Sequence, residues 1–468
     1  MFPAGSWRRG LCLAVLALVV SACGSMSTRR GFYEPITQRV VQHEFDSALM
    51  LLESARESGK YGQKDRLLYF LDAGFLNHYA QDYEASNERL ELAEAAAEEL
   101  FTKSVSRAIA SLALNDNVLE YAGEDYEVLY ANLIKAVNYI CLNQFDGAFV
   151  EVRRANLKLD QLEDKYGDAF ARMQRSARER EEGSISLQME PEKIHYHNNA
   201  FARWLSMHMY AADGLYDDAR IDHEALLDAF TTQSHIYTFP PPDVKYRSEA
   251  GGILSVVGLA GLGPTREATT VRLKTDSELD LVWVLGTDTH GNEVALFGPF
   301  SAKISDDFFF KFSLPRMEPR RSAITRIEVD VNGRLLGRLE LIENVNDVAQ
   351  EVFKAKRSMI IFESVARALA KGIVAHKQKD KVDDGGLVGW LKKTAIDAAV
   401  ELTESADLRS AQYLPGRVFV GDFELEPGTY DITIRYLTAG GGVAAVEHFH
   451  NYEVRPGAFN LVHAFSPQ

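Results

Sequence analysis

The feature that most constrains the fold is a short theme that recurs four times in the first half of the chain. An aromatic residue is followed by an acidic one and, three places after the aromatic, by a small one. The theme reads Phe45-Asp46-Ser47-Ala48, Tyr83-Glu84-Ala85-Ser86, Phe145-Asp146-Gly147-Ala148 and Tyr216-Asp217-Asp218-Ala219. From about Thr37 to Thr231, apolar residues recur at helical spacing, and alanine, leucine and glutamate are abundant. The last three occurrences follow a helical stretch, with Gly74, Ala136 and Met207 nine residues ahead of the aromatic. A small residue lets two antiparallel helices approach closely, and an aromatic is suited to the corner where they turn.

This pattern resembles the tetratricopeptide helix-turn-helix, a unit of about 34 residues. The aromatic positions are 38, 62 and 71 residues apart, so extra helices must intervene, for example over Ser104 to Tyr121. The charged stretch from Arg172 to Pro191, with its Arg-Glu-Arg-Glu-Glu-Gly run, breaks the pattern. The expectation is an irregular, tetratricopeptide-like α-solenoid over residues 37–238. Such stacks present concave surfaces to extended peptides or partner proteins. Tyr83, Ser86, Tyr139, Phe145, Ala148, Tyr216 and Ala219 are the candidate partner-binding positions, and a plain helical bundle without a groove is the competing reading.

Phe239-Pro240-Pro241-Pro242 ends the helical half, since proline cannot continue a helix. The composition then shifts to β-branched residues in alternation. Strands are expected at Ile253 to Val257, Thr270 to Lys274, Leu279 to Leu285, Ile324 to Val331, Leu335 to Leu341, Val418 to Phe423, Tyr430 to Tyr436, Val446 to Val454 and Phe459 to Phe465. Asn332-Gly333 between two of them is a hairpin signal, because both residues tolerate positive φ. The whole predicts an α+β multidomain chain with a β-sandwich over residues 246–468. A helical hairpin is inserted at 346–406, one helix running to about His376 and the other from Leu387 to Thr403. Covering one face of the sandwich is the expected task of this hairpin.

The N-terminus carries an address. Arg8 and Arg9 precede the apolar run Leu11 to Val20, which ends in small residues and a cysteine, Val20-Ser21-Ala22-Cys23. This is the plan of a secretory signal, and the run is shorter than the roughly 20 residues that cross a bilayer. Its end resembles the bacterial lipobox, which implies cleavage between Ala22 and Cys23 and acylation of Cys23. Residues 1–22 are then the signal peptide and 23–36 a tether. Gly24, rather than aspartate, after the cysteine implies by the same resemblance an outer-membrane anchor facing the periplasm.

The formal charge of −16 argues against a nucleic-acid partner. Of three cysteines, Cys12 leaves with the signal and Cys23 carries lipid. Cys141, in the apolar helical pattern Tyr139-Ile140-Cys141-Leu142, is left as an expected buried thiol.

Three stretches resemble a family of bacterial envelope lipoproteins with tetratricopeptide-like N-termini and a C-terminal β domain. They are Lys135-Ala136-Val137-Asn138-Tyr139 through Phe145 to Val152-Arg153-Arg154, then Asn199-Ala200-Phe201-Ala202 with Asp218-Ala219-Arg220-Ile221-Asp222, and Ala406-Asp407-Leu408-Arg409-Ser410 leading to Leu414-Pro415. The family pattern has threonine at Leu408 and tryptophan at Ala411. The likeness implies an architecture and an envelope location rather than a reaction. Asp407 and Arg409 are expected to form a structural pair, local or holding the insertion in place.

No motif commits the chain to chemistry. Gly258-Leu259-Ala260-Gly261-Leu262-Gly263 lacks the Gly-Lys-Ser/Thr ending of a phosphate loop and reads as strand and turn. His195/His197 and His448/His450 each offer two imidazoles without a third ligand. A nucleophile elbow is absent. The expected function is therefore a non-enzymatic scaffold that binds periplasmic or outer-membrane proteins, with no metal, no nucleic acid and no small-molecule cofactor. The alternatives are an envelope enzyme acting on cell-wall glycan or peptide with its site between the halves, and a structural part of a large envelope assembly.

Overall fold

The computed structural model describes residues 29–110, 120–180, 192–287, 292–301, 309–380 and 406–468. The signal peptide with Ala22 and Cys23, the first part of the tether, the run 181–191 and the expected helix from Leu387 to Thr403 lie outside the described residues. The fold is mixed α+β. Its helices are α1 (Arg29–Val41), α2 (Phe45–Glu57), α3 (Arg66–Tyr79), α4 (Tyr83–Ala110), α5 (Asp125–Cys141), α6 (Phe145–Asp160), α7 (Leu162–Arg180), α8 (Ala200–Ala212), α9 (Tyr216–Thr232) and α10 (Val345–Asp380). No described helix is long and apolar enough to cross a membrane.

The chain divides into two compact units, residues 1–62 and 63–468. In the first, α1 begins at Arg29, inside the stretch expected to be tether. Its anchor is apolar: Ile36 and Val40 are buried, and the ring of Phe32 meets Tyr61 edge-on at 5.4 Å.

Four helix pairs, α1/α2, α3/α4, α5/α6 and α8/α9, are joined by the same turn. His43, Gln81, Asn143 and Gly214 each take positive φ (59°, 63°, 56° and 75°). The N–H of each bonds back to Val40, His78, Ile140 and Ala211, and the next residue's N–H bonds to Arg39, Asn77, Tyr139 and Tyr210. This is the Schellman arrangement, which satisfies the last carbonyls of the first helix. The second helix starts at once with the aromatic residue. The small residue of the theme is the buried contact: Ala48, Ser86, Ala148 and Ala219 are all fully inaccessible. The aromatic does not fill the corner as expected. Phe45, Tyr83 and Phe145 are only half-buried and Tyr216 is 41% exposed, because the three-residue turn is closed by its own backbone bonds.

Twelve strands form three four-stranded sheets among the described residues. The first has the order β12 (Asn460–Ser466), β1 (Gly252–Leu262), β9 (Pro415–Leu425), β8 (Glu340–Asn344), with β12 parallel to β1. The second runs β11 (Val443–Val454), β10 (Gly428–Thr438), β6 (Ile324–Val331), β7 (Arg334–Arg338). One apolar core joins the two, including Leu254, Val256 and Phe419 from the first and Ile327, Val329, Ile434 and Tyr436 from the second. Asn332 and Gly333 both take positive φ in the β6–β7 turn. The stretch expected as one strand over Leu335 to Leu341 is two, broken at Leu339, because β7 pairs with β6 and β8 crosses to pair with β9.

The third sheet was not anticipated. Its order is β4 (Glu293–Ser301), β3 (Leu281–Thr287), β2 (Thr265–Asp276), β5 (Phe309–Glu318). Val271, Leu273, Val282 and Val284 pack under Ile361, Phe362 and Val365 of α10 and Phe170 and Met173 of α7. The insertion helix thus covers this separate sheet.

Candidate peptide-binding groove

The strongest concentration of buried polar groups lies where helices α3 and α5 meet the irregular segment Ala406–Leu414, just before β9. The segment is held residue by residue. Arg409, 2% exposed, pairs with Asp407 at 2.7 Å and reaches Asp65 at 3.1 Å, with its guanidinium 5.3 Å from the ring centroid of Tyr121. The N–H of Ala411 donates to Glu127 Oε1 at 2.7 Å, and the N–H of Gln412 donates to Asp72 Oδ1 at 2.7 Å. Tyr79 Oη donates to the carbonyl of Tyr413 at 2.8 Å. Arg320 donates to the carbonyl of Gln412 at 2.5 Å. Tyr413 and Leu414 are buried as the segment's apolar anchors.

Glu127 is the pivot. Its Oε2 accepts from Tyr121 Oη at 2.8 Å and from the N–H of Glu124 at 2.9 Å, closing the first turn of α5, while Oε1 takes the segment. Burial pushes its carboxyl up to about 7 against the lowering effect of these donors. Asp407 goes the other way: burial would raise it, but Arg409 beside it brings it down to about 2. Around Glu124 the balance is cationic. Lys356 of α10 donates to it at 2.6 Å, and Arg266 of β2 pairs with it while its guanidinium lies 5.1 Å from the ring centroid of Phe353. Thus α3, α5, α10 and β2 all bear on one segment.

A second charged knot ties the helices to one another. Lys135, 1% exposed, sits within 2.9 Å of Glu91 and Glu94 of α4 and Glu151 of α6, and Arg154 and Lys158 complete the neutralisation.

The sequence-chosen positions divide by role. Ser86 Oγ donates to the Gly74 carbonyl at 2.8 Å and accepts from Asn138. An added Cβ on Gly74 would meet Leu90 Cδ2 at 2.4 Å, so these helices touch closely. Ser86, Ala148 and Ala219 are spent on such packing and offer no surface to a partner. Tyr139 packs against Gly147. Tyr83 Oη meets His463 Nε2 at 2.9 Å, and the Arg247 guanidinium lies 4.6 Å from the ring centroid of Tyr216. Phe145 is half-buried. Among the candidate site residues singled out, only Asp407 and Arg409 belong to this buried polar cluster. Asp65, Asp72, Tyr79, Tyr121 and Glu127 were missed, although a lone carboxylate at Asp72 within an apolar helical run was a signal.

Cys141 is half-buried rather than buried, and burial pushes its thiol up to about 12, so it stays protonated at neutral pH. His448 and His450 stack at 6.1 Å on an exposed strand face. Among the described residues, no three histidine, cysteine or carboxylate side chains converge as a metal site. Ser255 Oγ donates to Asp422 Oδ1 at 2.8 Å and His208 Nε2 lies 2.9 Å from the same oxygen, so the carboxylate stands between hydroxyl and imidazole and the order of a serine–histidine–aspartate triad is not met. No family model, no curated protein and no solved structure matches the chain.

Proposed function

We propose that the chain is a lipid-anchored, non-enzymatic scaffold of the bacterial cell envelope, with its helical pairs forming a tetratricopeptide-like solenoid and its first two sheets a β-sandwich. What supports the reading is the segment 406–414, whose backbone N–H groups and Arg409 are taken up by buried carboxylates of the helical half. Titratable groups paired in this way serve to hold elements together. Partner contact by the periplasmic or outer-membrane proteins expected from the sequence then falls on other surfaces. The lipobox reading of Val20-Ser21-Ala22-Cys23 supplies the anchor. Two acyl chains or more, at about 0.8 kcal/mol per buried CH2, hold such a body without a spanning helix.

Labelled palmitate incorporation into the full chain, with Cys23→Ala as control, tests the anchor. Mild detergent extraction then tests the scaffold role, since a chain in complex migrates well above its 52.3 kDa mass. Migration as a free monomer, or release of soluble fragments when the purified chain meets cell-wall glycan or peptide, counts against the proposal.

A further inference from the structure

The seam between α3 and β12 is built from rings. His78 and His463 stack with centroids 4.7 Å apart and planes 16° from parallel, and Tyr79 stacks on Phe465 at 3.7 Å. Strand β12 alternates. Val462 and Ala464 enter the core shared by two sheets, while His463 and Phe465 face the helices. Its ladder pairs it with β1. The ring seam is therefore what fixes its helix-facing side.

Both imidazoles are fully buried or nearly so, and each keeps one nitrogen, His78 Nε2 and His463 Nδ1, without a hydrogen-bond partner. The other nitrogens meet Asn138 Oδ1 at 2.6 Å and Tyr83 Oη at 2.9 Å. The titratable groups facing the pair are Tyr79 of α3, Tyr83 of α4, Cys141 of α5 beside Tyr83, and Tyr452 of β11, whose hydroxyl donates to the Leu461 carbonyl. These are neutral groups at physiological pH, and none is a carboxylate. A proton on either ring would create a buried cation against a second imidazole, with no counter-ion.

We propose that the stacked His78–His463 pair is an acid latch: protonation parts β12 from α3 and lets this edge strand fray from β1, while the second sheet stays folded. Burial, against the bond to Asn138, already lowers His78 to about 4, and His463 lies well below its ordinary value through burial and the neighbouring ring. Against an open-state value near 6.5, acidification from pH 8 to pH 5 raises the opening equilibrium about thirtyfold per histidine.

Hydrogen exchange on the full chain at pH 8 and pH 5, corrected for the intrinsic rate, reads this directly. The expected result is loss of protection in peptides covering residues 66–79 and 460–466, with β6 and β10 unchanged. No loss, or an equal loss in every peptide, overturns the latch. His78→Phe and His463→Phe retain a ring and should each shrink the response by about thirtyfold. Should neither variant fold, imidazole NMR of the wild-type chain decides: two rings that resist protonation above pH 5 support the latch, and ordinary titration of all twelve histidines overturns it.

Discussion

Replacing Arg409 with methionine probes the centre of the buried cluster that holds residues 406–414. The guanidinium is 2% exposed and neutralises Asp407 and Asp65, whose side chains are 12% and 4% exposed. Asp407 ionises at about 2 instead of 3.8. At about 1.4 kcal/mol per unit, this is roughly 2 kcal/mol in favour of the charged form. Asp65 adds a second buried acid, so stranding both places the loss at about 3–5 kcal/mol, typical of a buried pair stripped of one partner. Methionine keeps most of the stem beside Tyr121, so cavity formation adds little. The assay is urea unfolding followed by tryptophan fluorescence at pH 7. The sign is testable as well. A carboxyl depressed in the fold contributes above its unfolded value of 3.8 and loses that contribution as pH falls toward 2, so the cost of Arg409→Met should shrink in acid. Adding Asp65→Asn and Asp407→Asn should recover most of the loss. The amide oxygen of the second substitution can still accept the backbone N–H of position 409, a bond that Asp407 accepts at 3.1 Å. A single-variant cost under about 1 kcal/mol, or a triple variant no better than the single, refutes the reasoning.

Lys135→Met leaves Glu94 and Glu151 buried without their central cation and should cost about 3–5 kcal/mol in the same assay. Ser86→Ala removes the bond to Gly74 and one acceptor of Asn138, for about 1 kcal/mol. Burial raises Glu343 to about 8, so the folded state binds its proton more tightly than the unfolded chain does, and stability present below 4.5 is lost as pH rises through 8. Glu343→Gln should remove its share of the slope in urea midpoints measured from pH 5 to pH 9, leaving that of Glu127, and an unchanged slope counts against the burial argument.

Much of the fold was legible because it rests on local rules. Helix pairing followed from the small residue of the theme, and the β6–β7 hairpin from Asn332-Gly333, whose backbone takes the conformation those residues favour. Most of what escaped was non-local. Strand β5 carries an alternation that was overlooked, Phe310-Lys311-Phe312-Ser313-Leu314, and the sheet it joins with β4 is defined by the apolar cover of α10 and α7. The break at Leu339 arises because its two flanks serve different sheets. The buried cluster was legible only at Asp407 and Arg409, two residues apart. Their partners Asp65, Asp72 and Glu127 sit on helices hundreds of positions earlier, and a single acid on an apolar helix does not say what it will meet.

The segment entering β9 has a consequence for biosynthesis. Asp65, Asp72 and Tyr79 find their partners 344, 340 and 334 residues further along the chain. Helices α3 and α5 emerge from the ribosome long before the segment 406–414 that Asp65, Asp72, Tyr79 and Glu127 hold. A nascent chain stalled before Ala406 lacks these bonds and should be cleaved by protease faster than one extended past Leu414.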